Sequence, residues 1–317
     1  MSAMIYHVFW PLSARSAYDD LTLPVVASIA TLRAVNQAVS VYVLECGKGR
    51  NWGEFPEKLN FKVVPWEFEL FKHDVARENH TNKFCSRVSD VVKFADSTPH
   101  DLILYADVDC FWRADPFPLE FSGDRFCVQN NFGFFYYKKQ PKALAFIEAY
   151  QSNMIHCLYD EEYCAHTHEV NDWGKPQIVV EQTIPWDESC LAATRKDLPN
   201  HHCVLSSREH NLFLIPCEGV KMEHLTTMEF VWKGENLRGL AAVVFSEFYD
   251  LVSKVLSQQD LCLIYGEDFG LFKSYRVSYE ELVSANVLSS SNIGVRKDPV
   301  RLEEIMGAIR SYRIKMI

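Results

Sequence analysis

The sequence has no apolar run approaching the roughly 20 residues that a membrane-spanning helix needs, and Met1 to Trp10 is too short and too uncharged for a signal peptide. These absences predict a soluble, cytoplasmic protein without a membrane partner. Dense cysteine spacing is also missing. The ten cysteines (46, 85, 110, 127, 157, 164, 190, 203, 217 and 262) are scattered, which excludes a disulfide scaffold and fits a reducing compartment. Positive charge is in deficit, 32 Lys and Arg against 42 Asp and Glu, for a net charge of −10. A chain so acidic has no global attraction to phosphate backbones, so any nucleic-acid partner needs a local basic patch. Arg296, Lys297, Arg301, Arg310, Arg313 and Lys315 form one such group, whose simplest reading is the solvated face of a helix. No internal repeat is visible.

What is present is core. Hydrophobic residues make up 48% of 317, enough for one large domain or a domain with an appendage. The β-branched and aromatic run Ile5 to Trp10 predicts a buried first strand, and Pro24 ahead of Val25, Ile29 and Leu32 predicts an amphipathic helix from about Asp19. Strands follow at Val39 to Leu44, Phe61 to Pro65 and Asp101 to Ala106. A helix at Asn82 to Ala95 carries the stripe Phe84, Val88, Val91 and Ala95. Strands alternating with helices predict a mainly parallel sheet with helices on its faces, whose ligands gather at the carboxyl ends of the strands. Phe126 to Lys138 reads as one further strand, Pro141 to His156 as a helix, and Cys157 to Pro176 as a polar, loop-rich insert. Helical patterns return at Leu240 to Leu256 and Pro299 to Ile314, so the expected division is a catalytic domain at 1–240 and a helical extension at 241–317.

In DLILYADVDCFW, Asp101 to Trp112, an apolar strand ends abruptly in Asp107 and Asp109. The strand period of two puts both carboxylates on one side. Two like charges there are costly unless something positive lies beside them, and a hard divalent cation with oxygen ligands meets that need. On the preceding helix Arg87 and Asp90, three residues apart, share a flank, which also reads as a surface ion pair.

This arrangement resembles the aspartate-x-aspartate signature of GT-A glycosyltransferases, whose carboxylates hold manganese or magnesium against the diphosphate of a nucleotide-sugar donor. The resemblance implies a Rossmann-like α/β fold, a mixed and mainly parallel sheet flanked by helices. It implies metal ligation by Asp107 and Asp109, with Asp107 also at the donor. It places Arg87 and Asp90, in Ser-Arg-x-x-Asp, against the donor's nucleotide and sugar. Asn130, Asn131 and Gly133, in NNFGFFYY, resemble the family's asparagine-x-glycine strand at the donor sugar. Glu223-His224 resembles a late metal-binding histidine, making His224 a third ligand, with Lys233 at the diphosphate. In EQTIPWDESCL, Asp187 and Glu188 match the stretch that carries an acid near the scissile bond; read without the resemblance, Asp187 caps a helix and Glu188 sits in its first turn.

The motifs occur in the family's order between Ile5 and Gly234. The implied activity is hexosyl transfer from a nucleotide-diphosphate sugar, UDP-glucose being one candidate, with Mn2+ or Mg2+. Loops choose the acceptor, so a glycan, a protein, a small molecule and a hydroxymethylated DNA base all stay open. A nucleotidyltransferase would use the same paired aspartates, but PLSARSAYDD after the first strand lacks a glycine-rich phosphate loop. A catalytically inactive sugar-nucleotide-binding protein is the other alternative. Cys157, Cys164, His166 and His168 crowd together as zinc-type donors, at spacings that match no common zinc module.

Overall fold

The computed structural model describes residues 2–9, 22–46, 52–67, 87–108, 110–116, 123–129, 133–159, 187–205, 210–211, 222–224 and 251–260. In chain order the elements are β1 (Ser2–Phe9), α1 (Thr22–Val35), β2 (Ser40–Cys46), α2 (Phe55–Lys58) and β3 (Phe61–Trp66). Next come a helix at 87–96, here α3, then β4 (Leu102–Ala106), β5 (Cys110–Trp112), β6 (Phe126–Val128) and β7 (Phe134–Lys138). The rest are α4 (Pro141–Tyr159), α5 (Asp187–Asp197), β8 (His202–Val204), β9 (His210–Asn211) and β10 (Met222–His224).

Seven strands form one sheet in the order β3-β2-β1-β4-β7-β6-β8. All neighbours run parallel except β7, which is antiparallel to both β4 and β6. This is the expected mixed, mainly parallel sheet flanked by helices. Strands buried on both faces need apolar side chains at successive positions, and β4, LILYA, is buried throughout. Edge strand β3 tolerates Pro65, which cannot donate to a ladder.

The strand period of two sorts the core into two layers. On one face Met4, Tyr6 and Val8 of β1, Val41 and Val43 of β2, and Leu104 of β4 pack against α1. That helix is buried at every position from Val25 to Arg33, and β5 packs against it as well as the sheet: Thr31 accepts from the Trp112 amide at 3.0 Å, and Ser28 donates to the Cys110 carbonyl. Val252 and Leu256, in the segment the sequence assigns to the extension, join this layer, and Lys58 of α2 donates to Asp260 at 2.7 Å. On the other face Ala3, Ile5, Leu44, Ile103, Tyr105, Phe135 and Tyr137 meet α3, α4 and α5.

One expectation is corrected. Phe126 to Lys138 is two antiparallel strands, β6 and β7, paired Cys127 to Tyr136 and Val128 to Phe135, with the Gln129 amide bonded to the Phe134 carbonyl at 2.9 Å. Between the paired strands the sequence carries two asparagines and Gly133, residue types that favour turns. Among the described residues no helix is long and apolar enough to cross a membrane.

Candidate functional site

The sheet reverses its winding between β1 and β4, and in such sheets the crevice beyond the carboxyl ends at that point is where ligands bind. Register shows which side chains reach it. On the α3 face the apolar rows are Ala3 and Ile5 in β1, Leu44 in β2, and Ile103 and Tyr105 in β4. Ile5 pairs with Tyr105 and His7 with Leu44. Two positions further on, the rows carry His7, Cys46 and Asp107. Three adjacent parallel strands therefore bring polar groups to one face near their carboxyl ends.

Helix α3 supplies the counterparts. Its apolar side, Val88, Val91, Phe94 and Ala95, seats it on the sheet, and its first described turn carries Arg87 and Asp90 toward the strand ends. The Arg87 side chain, 3% exposed, donates from Nη1 to both oxygens of Asp107 at 3.2 and 3.3 Å, while the Asp107 side chain is 23% exposed. Tyr105 also donates its hydroxyl to Asp107, and the guanidinium carbon of Arg87 lies 5.9 Å from the centre of the Tyr105 ring. Burial, and next the adjacent carboxylate, push the Tyr105 phenol well above its usual range, so it stays a donor. Its ring stacks on Phe135 at 4.7 Å, which fixes where the hydroxyl points. Asp90 reaches a different strand: its Oδ2 lies 2.9 Å from His7 Nε2, both side chains are essentially buried, and Cys46 Sγ is 3.3 Å from the same nitrogen. Burial, then the charges of Asp90 and Glu45, raise the Cys46 thiol far above its ordinary value. Arg87 and Asp90 are thus an inward-facing pair of anchors and not a surface ion pair.

Beyond β4 the chain turns at once, the Cys110 amide bonding to the Asp107 carbonyl at 3.1 Å. The Gly133 carbonyl accepts from the Asp107 amide at 2.8 Å and from the Cys110 thiol at 3.3 Å, so the glycine named from sequence abuts the aspartate motif. β10 then pairs antiparallel with β5, setting His224 opposite Cys110, the chain neighbour of Asp109. These two motif segments lie more than a hundred residues apart in the chain. Asp187 and Glu188 are the first two residues of α5. Asp109, Asn130, Asn131 and Lys233 lie outside the described residues, as do Cys164, His166 and His168; Cys157 falls in the last turns of α4.

Sequence reasoning missed His7, Cys46 and Tyr105. Each belongs to a strand that reads as uniform core, and only the register and the contacts with α3 and Asp107 reveal them near the carboxyl ends of their strands.

No protein-family model matches the sequence, nor does any curated protein. Among solved structures, the chain is similar to the glycosyltransferase GlyE of Streptococcus pneumoniae TIGR4, at 12% identity over 86% of this chain and 64% of that one, TM-score 0.46. It is similar to the galactosyltransferase LgtC, solved with donor and acceptor sugar analogs, at 11% identity over 82% and 98% of the two chains, TM-score 0.44. A third likeness is to mouse xyloside xylosyltransferase 1 in its apo form, at 10% identity over 71% and 98%, TM-score 0.44. The chain thus spans a little under two thirds of GlyE's length. At these scores and identities none of the likenesses assigns a role to a residue of this chain.

Proposed function

We propose that the protein is a divalent-metal-dependent glycosyltransferase that moves a hexosyl group from a nucleotide-diphosphate sugar, UDP-sugars foremost, to an acceptor hydroxyl. The observation that carries this reading is Asp107, a partly exposed carboxylate at the carboxyl end of a buried central strand, gripped by a buried arginine and set in the motif the sequence names. A hard cation suits it, because carboxylate oxygens are the ligands Mn2+ and Mg2+ prefer and the Asp107 side chain is partly exposed. Asp107, Asp109 and His224 would hold that cation; the pairing of β10 with β5 supports His224, since it sets the histidine beside the motif's chain. When bound, the cation would offset the charge of the diphosphate and of the departing nucleotide.

The remaining roles belong to the chain itself. Arg87 orients the Asp107 carboxylate and adds a fixed positive charge beside the donor, and Asp90 holds the helix that presents it. Asn130, Asn131 and the Gly133 backbone line the sugar, and Lys233 meets the diphosphate. Asp187 or Glu188 takes the acceptor's proton. Helix α5, about 16 Å long at 1.5 Å per residue, leads into the amino end of β8, so running back along the sheet carries its first residues toward the carboxyl ends of the strands. The catalytic domain in this reading is 1–240, with 241–317 as its extension. Acceptors include a glycan, a small molecule or a hydroxymethylated DNA base. The test is release of free nucleotide diphosphate from a panel of UDP- and GDP-sugars: release with manganese that stops with chelator supports the proposal, and no release from any donor opposes it.

A further inference from the structure

His7 Nε2, Cys46 Sγ and Asp90 Oδ2 all lie within 4.8 Å of one another and are buried. Their arrangement is unlike a proton relay. In a thiol–imidazole–carboxylate relay the two partners occupy opposite ring nitrogens, so that one proton can pass on as another arrives. Here thiol and carboxylate crowd the same nitrogen, at 3.3 and 2.9 Å. A ring nitrogen carries one hydrogen or one lone pair, so it satisfies only one of these neighbours well. A cation at the centre of the triangle would be faced by a lone pair from each.

We infer that His7, Cys46 and Asp90 form a binding site for a zinc-class divalent cation, separate from the carboxylates of the aspartate motif. One nitrogen, one sulfur and one oxygen donor suit a borderline metal, whereas Mg2+ and Mn2+ favour oxygen sets. Tetrahedral zinc holds nitrogen and oxygen ligands roughly 3.4 Å apart, and nitrogen and sulfur roughly 3.6 Å apart. The nitrogen–oxygen and nitrogen–sulfur separations of 2.9 and 3.3 Å need to open by only about half an ångström or less. Binding converts the thiol to thiolate and releases its proton to solvent, and a water completes the coordination. The placement suggests a structural pin. The three donors come from β1, β2 and α3, so the metal ties that helix to two strands, one turn from the Arg87 that reaches Asp107.

The test uses the full chain with zinc and cobalt(II). Zinc should raise the melting temperature, and cobalt should give a thiolate-to-metal charge-transfer band that a carboxylate site cannot produce. Cys46→Ala should remove that band and weaken zinc binding by tenfold or more, and Asp90→Asn should weaken it while keeping the band. A band that survives intact in folded Cys46→Ala, or no band in the unaltered protein, overturns the inference. Should Cys46→Ala fail to fold, X-ray absorption on unaltered protein carrying one equivalent of zinc decides. A first shell with one sulfur upholds the site, and a shell with none, or with two or more, rejects it. Since the readout is a metal–thiolate bond, failure of the sugar-transfer proposal leaves it unaffected.

Discussion

Replacing Arg87 with methionine keeps the length of the side chain but removes the charge beside Asp107. At an effective dielectric of 20 and a separation near 3.3 Å the attraction is about 5 kcal/mol. Most of it is offset by the cost of keeping a guanidinium out of water. The two single changes are not equivalent. Without Arg87, the Asp107 carboxylate is 23% exposed, partly rehydrates and keeps the Tyr105 hydroxyl, so the loss should be about 2 kcal/mol, below the 3–5 kcal/mol of a fully buried pair. Without Asp107, the guanidinium stays 3% exposed and loses its carboxylate, so Asp107→Ala should cost more, about 3–4 kcal/mol. The double variant should cost less than the sum by about 1–3 kcal/mol. Urea unfolding of all four proteins, followed by tryptophan fluorescence and circular dichroism, measures the coupling. Additive losses, or Arg87→Met costing more than Asp107→Ala, would refute the account of this pair.

Asp109→Ala should abolish transfer with the fold intact, and chelator should do the same reversibly with manganese or magnesium; full activity in either case removes the metal-site proposal. His224→Ala should weaken manganese-dependent donor binding tenfold or more, and unchanged affinity would make it a bystander. Asp187→Asn should bind donor normally and turn over 10²–10⁴-fold more slowly, roughly the worth of a general base, with inverted anomeric configuration in the wild-type product by NMR; a retained configuration removes Asp187 from this role. Burial lowers the proton affinity of His100, aided by Lys139 and Lys62, and burial likewise lowers that of His202 despite its bond to the Leu198 carbonyl. Below about pH 6.5 the unfolded chain therefore binds protons that the folded one refuses, and stability should fall with acidification from pH 7 to 5. Replacing both histidines with glutamine should flatten that slope, and an unchanged slope would contradict the assignment.

The first four strands and the helices α1 and α3 were legible because their apolar periodicity is strong, and the end of β4 announced the site by its change from LILYA to Asp-Val-Asp. The β6–β7 hairpin was missed because aromatic and apolar residues continue on both sides of the reversal, although thirteen residues is long for one strand. His7 and Cys46 gave no local signal, since a lone histidine or cysteine in an apolar strand reads as packing. They become a cluster only when parallel register sets β1 beside β2 and α3 brings Asp90 over them. The pairing of His224 with Cys110 is equally invisible to periodicity, because it joins distant segments through a second, three-stranded sheet.

The central claim is that a nucleotide-sugar binds through a cation at the Asp107–Asp109 turn, and isothermal titration of the full chain with UDP-sugars, with manganese and with chelator, tests it most directly. The account expects binding of at least one donor that depends on manganese and is lost in Asp109→Ala. Donor binding that is indifferent to both manganese and Asp109, or no binding under any condition, would contradict it.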